Sequence, residues 1–560
     1  MSTESNIVTA LENSTKKPVI FLVLICLAGL SLRLVYFPYD IPLFGDSQGY
    51  FWYAIDMSIL NQLPYGHSVV NNGWPSFLSI IFHLMDSNNF LDYHNMQRFV
   101  GVIFSVATVF PVYFLCSMYF KKSYSLLGAT LFIFEPRLIQ NSFIGTPESM
   151  YIFLMASLLF LFLSTNFKKI YLAFGIVALL AVIRYEGLLM IIPLSVVFFI
   201  RFRKQKKDLI KYAICISILI LILLPISSLR NETMGQDGLV SHISAGPKVY
   251  ASTIQENSSA LGDFLYLGSV NLIKYLGWAQ IPSFIIFVPL GVLLIFKCID
   301  YKKITIILSI IIMLIPAFYG YSREFQEMKY LYVLYPIFCV LACFTFKILF
   351  EKFHRKNLIF CIIIAGLILS SVAFVDWKSM DKEHYLEAYE ILTELSQKEM
   401  KINKEFGTYG GEITYFHWTR LNNVDEFPIL KKELPTNKVT LVTQAESTRG
   451  WNEQLKQWNP DIDILKQQES TSYHNTEIDN LRDYFQVLEK YEITHLMLDR
   501  VMIGQLINEE LRVHLRDLFI HENEYPFLLK EYDSKENGFN YHIKLFRINY
   551  DLYNEWVNEK

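Results

Sequence analysis

The chain has 560 residues, of which 52% are hydrophobic and 15% aromatic, and its mean hydropathy is +0.29. This apolar content exceeds the roughly 45–50% of an average soluble protein, and it indicates a membrane protein rich in interfacial aromatic side chains. The net charge of −3 gives no reason to expect a nucleic-acid partner.

Eleven apolar stretches approach the length of about 20 residues that a helix needs to cross a bilayer. The predicted spans are 18–37, 98–119, 124–143, 149–165, 170–183, 187–201, 209–228, 271–296, 304–319, 330–350 and 357–375. We interpret the first as a signal anchor that is retained. The sequence therefore predicts a polytopic α-helical membrane protein with about 11 transmembrane helices.

Lysine and arginine clusters predict the orientation of these spans, because cytoplasmic loops carry an excess of both. The clusters lie at 16–17, 121–122, 168–169, 201–207, 297–303 and 352–356, and the eleven spans place all six on one side. We expect a multi-pass protein of the cell membrane with a cytoplasmic N-terminus. The loops 38–97, 144–148, 184–186, 229–270 and 320–329 then lie outside, as does the tail.

The tail, residues 376–560, is predicted to be a soluble extracytoplasmic α/β domain that follows a transmembrane domain over 1–375. Helices are expected over 383–400, 481–490 and 506–518, and strands over 439–442, 493–498 and 527–529. Lys535-Glu536-Asn537-Gly538 predicts a hairpin turn before a last strand within 539–546. No motif in this part is typical of catalysis.

Ionisable residues recur in the predicted outer loops. Such groups are costly near hydrocarbon and tend to line polar cavities. A carboxylate there can take a proton from an acceptor, and cationic groups can hold a phosphate. The candidates are Asp46 in the first outer loop, Glu148 before the fourth span, Arg184 and Glu186 after the fifth, and Arg323 and Lys329 before the tenth.

Each candidate also has an interpretation without a functional role. Asp46 suits a helix cap, and Glu148 suits the first turn of a helix. Arg184 and Glu186 can pair with one another, and Arg323 and Lys329 suit a solvated loop. Within the third span, we expect Glu135 and Arg137 to neutralise each other.

The order of these motifs resembles the C-type (GT-C) glycosyltransferases, which use a polyprenyl- or dolichyl-phosphate sugar. It is most similar to the branch with the protein O-mannosyltransferases and the aminoarabinose transferases. The motifs are Gly45-Asp46-Ser47 with Asn72-Gly73-Trp74-Pro75 in the first outer loop, Thr146-Pro147-Glu148, and the basic segment from Arg323 to Tyr330. The resemblance covers roughly residues 18–375.

The resemblance implies a lipid-phosphate sugar donor, membrane lipids and an extracytoplasmic acceptor as partners. It implies that Asp46 is the base and that Glu148 supports it. A divalent cation, magnesium or manganese, is an open option, with Asp46 and Glu148 as its ligands. The substrate-binding candidates are Arg184, Glu186, Arg323, Lys329, Tyr50, His67 and Trp74.

The sequence differs from the pattern of this family in two respects. Ser47 follows Asp46 where many relatives have a second acid, and the tail lacks the Trp-Trp-Asp-Tyr-Gly signature of oligosaccharyltransferases. Two alternatives stay open. One is a transporter or flippase for a lipid-linked or anionic solute, and the other is a membrane anchor for a surface recognition domain.

Overall fold

The computed structural model describes residues 11, 16–61, 63, 71–87, 89–203, 207–234, 237–241, 243–244, 260–323, 327–352, 356–403, 439–444, 472–473, 480–499 and 509–559. The chain forms two compact units. The first, here the membrane unit, comprises Met1–Phe37, Tyr50–Leu84 and Asn95–Lys378. The second, the sheet unit, comprises Pro38–Gly49, Met85–His94 and Ser379–Lys560.

Most of the described chain is helical. Before the sheet, the helices are Lys16–Val35, Asp46–Leu60, Gly73–His83, Phe90–Ala107, Val109–Ser117, Lys122–Ile133, Pro136–Ser142, Glu148–Leu163, Phe167–Ile183, Ile191–Phe202, Asp208–Met234, Ala260–Gln280, Phe287–Ile295, Tyr301–Ser322, Tyr335–Lys352 and Lys356–Leu395. Two 3₁₀ segments, Tyr185–Met190 and Met328–Leu334, precede the helices at Ile191 and Tyr335.

Seven helical segments among the described residues are long and apolar enough to cross a membrane. They are Lys16–Val35, Leu91–Ser117, Tyr185–Phe202, Asp208–Glu232, Tyr301–Ser322, Met328–Lys352 and Lys356–Leu395. Glu148–Leu163 is apolar but shorter. The prediction of a polytopic helical membrane protein is confirmed, whereas the count of eleven spans is not.

Two predicted spans are each broken into two helices that at least two residues separate. The stretch 124–143 breaks between Ile133 and Pro136, and Glu135 has the extended conformation that a following proline favours (φ −70°, ψ 114°). The stretch 271–296 is divided between Gln280 and Phe287. Arg137 Nε donates to the carbonyl oxygen of Ile281 at 3.0 Å, and the mutual neutralisation of Glu135 and Arg137 stays a prediction.

The sheet unit contains a six-stranded mixed sheet. Its strands are β1 Met400–Asn403, β2 Val439–Gln444, β3 Ser472–Tyr473, β4 His495–Asp499, β5 Leu528–Asp533 and β6 Ile543–Ile548. The strand order is β3-β2-β1-β4-β6-β5, with parallel pairs up to β4 and antiparallel pairs beyond it. The expected helix over 383–400 is wrong at its end, because the helix stops at Leu395 and Met400 begins β1.

Both faces of the central strand β4 are covered, and every residue of β4 is buried. Leu496 and Leu498 pack with the helices Leu481–Lys490 and Glu509–Ile520, whereas Met497 packs with the end of Lys356–Leu395. The alternation is that of a strand whose successive side chains point to opposite faces. A last helix, Tyr550–Glu559, follows β6.

The predicted terminal hairpin is present between β5 and β6, and Gly538 in its turn has φ +88°. Lys544 of β6 is buried, and its Nζ donates to Glu522 Oε2 at 2.6 Å and to the Phe519 carbonyl oxygen at 2.9 Å. Lys530 of β5 donates to the other Glu522 oxygen at 2.9 Å and to the exposed Glu536 at 2.7 Å. A buried ammonium is tolerated when it is paired in this way.

Candidate functional site

Glu148 is the first residue of the helix Glu148–Leu163 and is almost fully buried. The preceding loop turns at Gly145, whose φ of +82° lies in the left-handed region that glycine adopts without strain. The helix N-terminus favours a carboxylate at this position. The expected helix-terminal role of Glu148 is therefore present, and it does not preclude a second role.

Trp74 fixes the loop in front of Glu148 from within the membrane unit. Its side chain is fully buried, and its Nε1 donates to the carbonyl oxygen of Gly145 at 3.0 Å. Gln97 donates to the same oxygen at 2.7 Å. These bonds favour a supporting role for Trp74 over contact with a substrate.

Arg184 stands between a helix and a 3₁₀ segment. The helix Phe167–Ile183 ends before it, and the extended backbone of Arg184 (φ −146°, ψ 120°) leads into Tyr185–Met190. Gly187 closes this turn, because a Cβ there would lie 2.8 Å from the backbone carbon of Leu180. The local sequence Arg184-Tyr185-Glu186-Gly187 thus forms a tight turn that keeps Arg184 and Glu186 side by side.

Arg184 joins two carboxylates. Its Nη1 donates to Glu148 Oε1, and its Nη2 donates to Glu186 Oε1 at 3.0 Å. The side chains of Arg184, Glu148 and Glu186 are only 11%, 5% and 10% exposed. The expected Arg184–Glu186 pair is confirmed, but the pairing with Glu148, 36 residues earlier, was not predicted.

The three side chains line one cavity together with Lys329. The cavity has about 360 Å³ of space, part of it open to solvent, and three tyrosines, Tyr151, Tyr330 and Tyr332, complete its polar wall. Two carboxylates face one guanidinium and one ammonium here. Glu148 Oε2 and Glu186 Oε2 are buried and, within the part of the chain that the structure describes, accept no hydrogen bond. The cavity therefore combines acceptor oxygens with cationic donors.

The basic segment before the tenth predicted span is only partly described. Lys329 forms an ion pair with Glu327, which is half-exposed. Arg323 follows the helix Tyr301–Ser322, and its Nη1 lies 3.3 Å from the hydroxyl of Tyr319. Lys329 is thus among the residues that line the cavity, and Arg323 is not.

Asp46 belongs to the sheet unit, whereas Glu148 belongs to the membrane unit. It begins the helix Asp46–Leu60 directly after Gly45, whose φ is +58°. Asp46 is exposed, and Tyr50, one turn further along the helix, is partly buried. His67 lies outside the described residues. The two-acid arrangement of Asp46 with Glu148 stays a prediction.

A divalent cation bound by the cavity carboxylates would have to complete its ligands with water or substrate oxygens. Among the described residues, no group of three or more histidine, cysteine, aspartate or glutamate side chains is placed to hold a metal ion. Magnesium and manganese prefer six oxygen ligands, and Arg184 already occupies one oxygen of each cavity glutamate.

No protein-family model and no curated protein matches the sequence, but solved structures match the fold. ArnT from Cupriavidus metallidurans, bound to undecaprenyl phosphate, matches with a TM-score of 0.54 and 10% identity over 94% of this chain and 97% of that one. The archaeal oligosaccharyltransferase AglB from Archaeoglobus fulgidus, in complex with an inhibitory peptide and a dolichol-phosphate, matches with a TM-score of 0.53. Its identity is 13%, over 92% of this chain and 72% of that one.

The chain has the GT-C fold. The resemblance drawn from the outer-loop motifs is thereby confirmed at the level of the fold. At 10–13% identity, the likeness extends to the architecture and not to the activity. The match nevertheless spans nearly the whole length of both this chain and ArnT.

Proposed function

We propose that this chain is an integral membrane glycosyltransferase that moves a single sugar from a polyprenyl- or dolichyl-phosphate donor to an extracytoplasmic acceptor. The sugar is a hexose such as mannose, and the acceptor atom is a hydroxyl oxygen of a protein, lipid or glycan. The observation that carries the proposal is the cavity that joins Glu148, Arg184, Glu186 and Lys329 in a chain with this fold.

In the proposed reaction, the acceptor hydroxyl oxygen attacks the anomeric carbon of the donor sugar. The bond between that carbon and the phosphate oxygen breaks, and the lipid phosphate leaves with the bonding electrons. Asp46, whose carboxylate is exposed, takes the proton of the hydroxyl. The products are the glycosylated acceptor and the lipid phosphate.

We assign different roles to the two cationic residues of the cavity, Arg184 and Lys329. Both terminal nitrogens of Arg184 donate to carboxylates, so we assign it to holding Glu148 and Glu186 in place rather than to the donor phosphate. Lys329 lines the cavity, and its ion-pair partner Glu327 is half-exposed. We assign Lys329 to the departing phosphate, whose negative charge an ammonium stabilises.

The proposal is supported by what the neighbours bind. The ArnT structure holds undecaprenyl phosphate and the AglB structure holds a dolichol-phosphate, both of them long-chain lipid phosphates. Because this chain shares their fold, we propose that it binds the same kind of lipid in a comparable place. The fold alone does not determine the function, so the proposal depends on the residues of the cavity.

The test is transfer by the purified full chain in detergent. The protein is offered a panel of polyprenyl-phosphate sugars and an acceptor fraction from membranes, and products are identified by mass. We expect one sugar mass to be added to the acceptor and free lipid phosphate to accumulate in equal amount. No transfer from any donor, with movement of the intact lipid-linked sugar across liposome membranes, would support the flippase alternative instead.

A further inference from the structure

The segment that carries Asp46 is packed on both sides of the aspartate. Ile41 and Leu43 before it are buried, as are Ser47 and Gln48 after it, while Asp46 itself is exposed. Ser47 Oγ also donates to the Phe44 carbonyl oxygen at 2.6 Å. The sheet unit thus exposes the carboxylate of Asp46 from a strip of chain, residues 41–48, whose other members are buried or half-buried.

His94 holds this strip through the backbone. The amide of Leu43 donates to His94 Nδ1 at 3.0 Å, and both residues are fully buried. A ring nitrogen that accepts a hydrogen bond carries no proton, so the neutral imidazole of His94 bears its proton on Nε2. This bond fixes the peptide three residues before Asp46.

Tyr385 holds the same strip through a side chain. Its ring stacks on Phe44, with centroids 4.7 Å apart and planes 19° from parallel. Offset stacking of aromatic rings at this distance is favourable beyond the area it buries. Phe44 is separated from Asp46 only by Gly45, so the stack limits where Asp46 can lie.

The C-terminal sheet determines where Tyr385 stands. The helix Lys356–Leu395 packs on the sheet through Ala388, Ile391, Leu392 and Leu395. Glu387, two residues beyond Tyr385, accepts from the Tyr541 amide at 2.7 Å and from Asn540 Nδ2 at 3.0 Å, just before β6. A rigid connection therefore runs from the sheet through one turn of helix to the ring that stacks on Phe44.

We propose that Tyr385 and His94 are positioning residues for Asp46, and that the C-terminal sheet serves the transfer reaction by holding the Asp46 segment. This inference rests on the proposed function. It gives the C-terminal part of the chain a role that its own residues, which show no catalytic motif, do not otherwise suggest.

The first test compares matched variants of the full chain in the sugar-transfer assay. Tyr385→Ala removes the stacking ring, and Tyr385→Phe keeps it. His94→Leu removes the acceptor for the Leu43 amide, and His94→Asn supplies an oxygen close to the position of Nδ1. A displacement of about 1 Å at a reacting group can cost about 10²-fold in rate. We expect losses of that order in kcat for Tyr385→Ala and His94→Leu, and rates near wild type for Tyr385→Phe and His94→Asn.

The second test measures hydrogen exchange in peptides covering residues 38–49, which needs no activity. We expect faster exchange there in Tyr385→Ala and His94→Leu, with unchanged exchange in β4 and β6 as the sign that the sheet is folded. Full transfer activity in Tyr385→Ala, or lost activity without faster exchange at 38–49, would overturn the positioning role.

The two tests separate this inference from the proposed function. If the wild type transfers no sugar from any donor, the proposed function fails, and the exchange data alone decide whether Tyr385 and His94 hold the segment. Unchanged exchange at 38–49 in both variants would then overturn the structural part as well.

Discussion

Replacing Arg184 by methionine removes the one cation that joins Glu148 to Glu186. The two carboxylates are 5% and 10% exposed, so both would stay buried without their partner. Breaking a buried pair by removing one member costs about 3–5 kcal/mol, mainly because the remaining charge is uncompensated. We expect Arg184→Met to lower the free energy of unfolding by that amount.

The matched control also removes the two carboxylate charges that Arg184→Met leaves buried without a cation. In Arg184→Met with Glu148→Gln and Glu186→Gln, the side chains keep their volume and carry no charge, so most of the lost stability should return. The assay is thermal unfolding of the full chain in detergent. An unfolding temperature of Arg184→Met equal to the wild type, or a triple variant no more stable than the single one, would refute the bridging role.

Kinetics separate Arg184 from Lys329. Because Arg184 is engaged by carboxylates, its loss should lower kcat more than it raises the KM for the lipid donor. Lys329→Ala should raise the donor KM as well as lower kcat, since the donor phosphate is already negatively charged when bound and gains charge as it departs. A donor KM that rises more in Arg184→Met than in Lys329→Ala would show that the two roles are interchanged.

Three further predictions concern stability. Glu522→Gln should lower the free energy of unfolding of the sheet unit by about 2 kcal/mol in denaturant, because a neutral amide replaces the carboxylate that accepts from two ammonium groups. The exposed Glu536→Gln should cost less than about 1 kcal/mol, and equal effects of the two variants would contradict the prediction. Gly291→Ala should lower the yield and unfolding temperature, since its Cβ would lie 2.1 Å from a backbone oxygen of the facing helix, while Gly277→Ala, with open space around it, should not. Burial lowers the pKa of His542 despite the nearby Asp533, so the folded state binds this proton less readily than the unfolded state does. The protection of the β6 amides, taken relative to their intrinsic exchange rate at each pH, should therefore fall as the pH drops below about 6.5.

The sequence predicted those helices and turns that depend on residues close together in the chain. Apolar runs located the helices, and the hairpin turn around Gly538 lies where its residues indicated. Pro136 indicates a helix break, but the long apolar run around it favoured the prediction of a single span over 124–143. The sequence does not predict the short strand β1, because its residues continue a helical pattern. Its pairing with β2 and β4, which lie far along the chain, outweighs that local helical preference.

The site shows the same division between local and distant contacts. The charges of the predicted outer loops could be selected from the sequence, since ionisable residues near hydrocarbon are costly and therefore rare. Their partners could not, because Arg184 meets Glu148 only through the packing of two helices, and Phe44 meets Tyr385 across more than 300 residues. The burial of Trp74 could not be predicted either, because an aromatic residue in a predicted loop gives no sign in the sequence of being buried.

The most direct test of the central claim is the rate of sugar transfer by Asp46→Asn in the purified full chain. Asp86→Asn is the control, because Asp86 is an exposed acid of the same predicted loop with no assigned role. With its base neutralised, Asp46→Asn should fold as the wild type does and lose about 10²–10⁴-fold in rate, while Asp86→Asn keeps its rate. Transfer by Asp46→Asn at the wild-type rate would contradict the account.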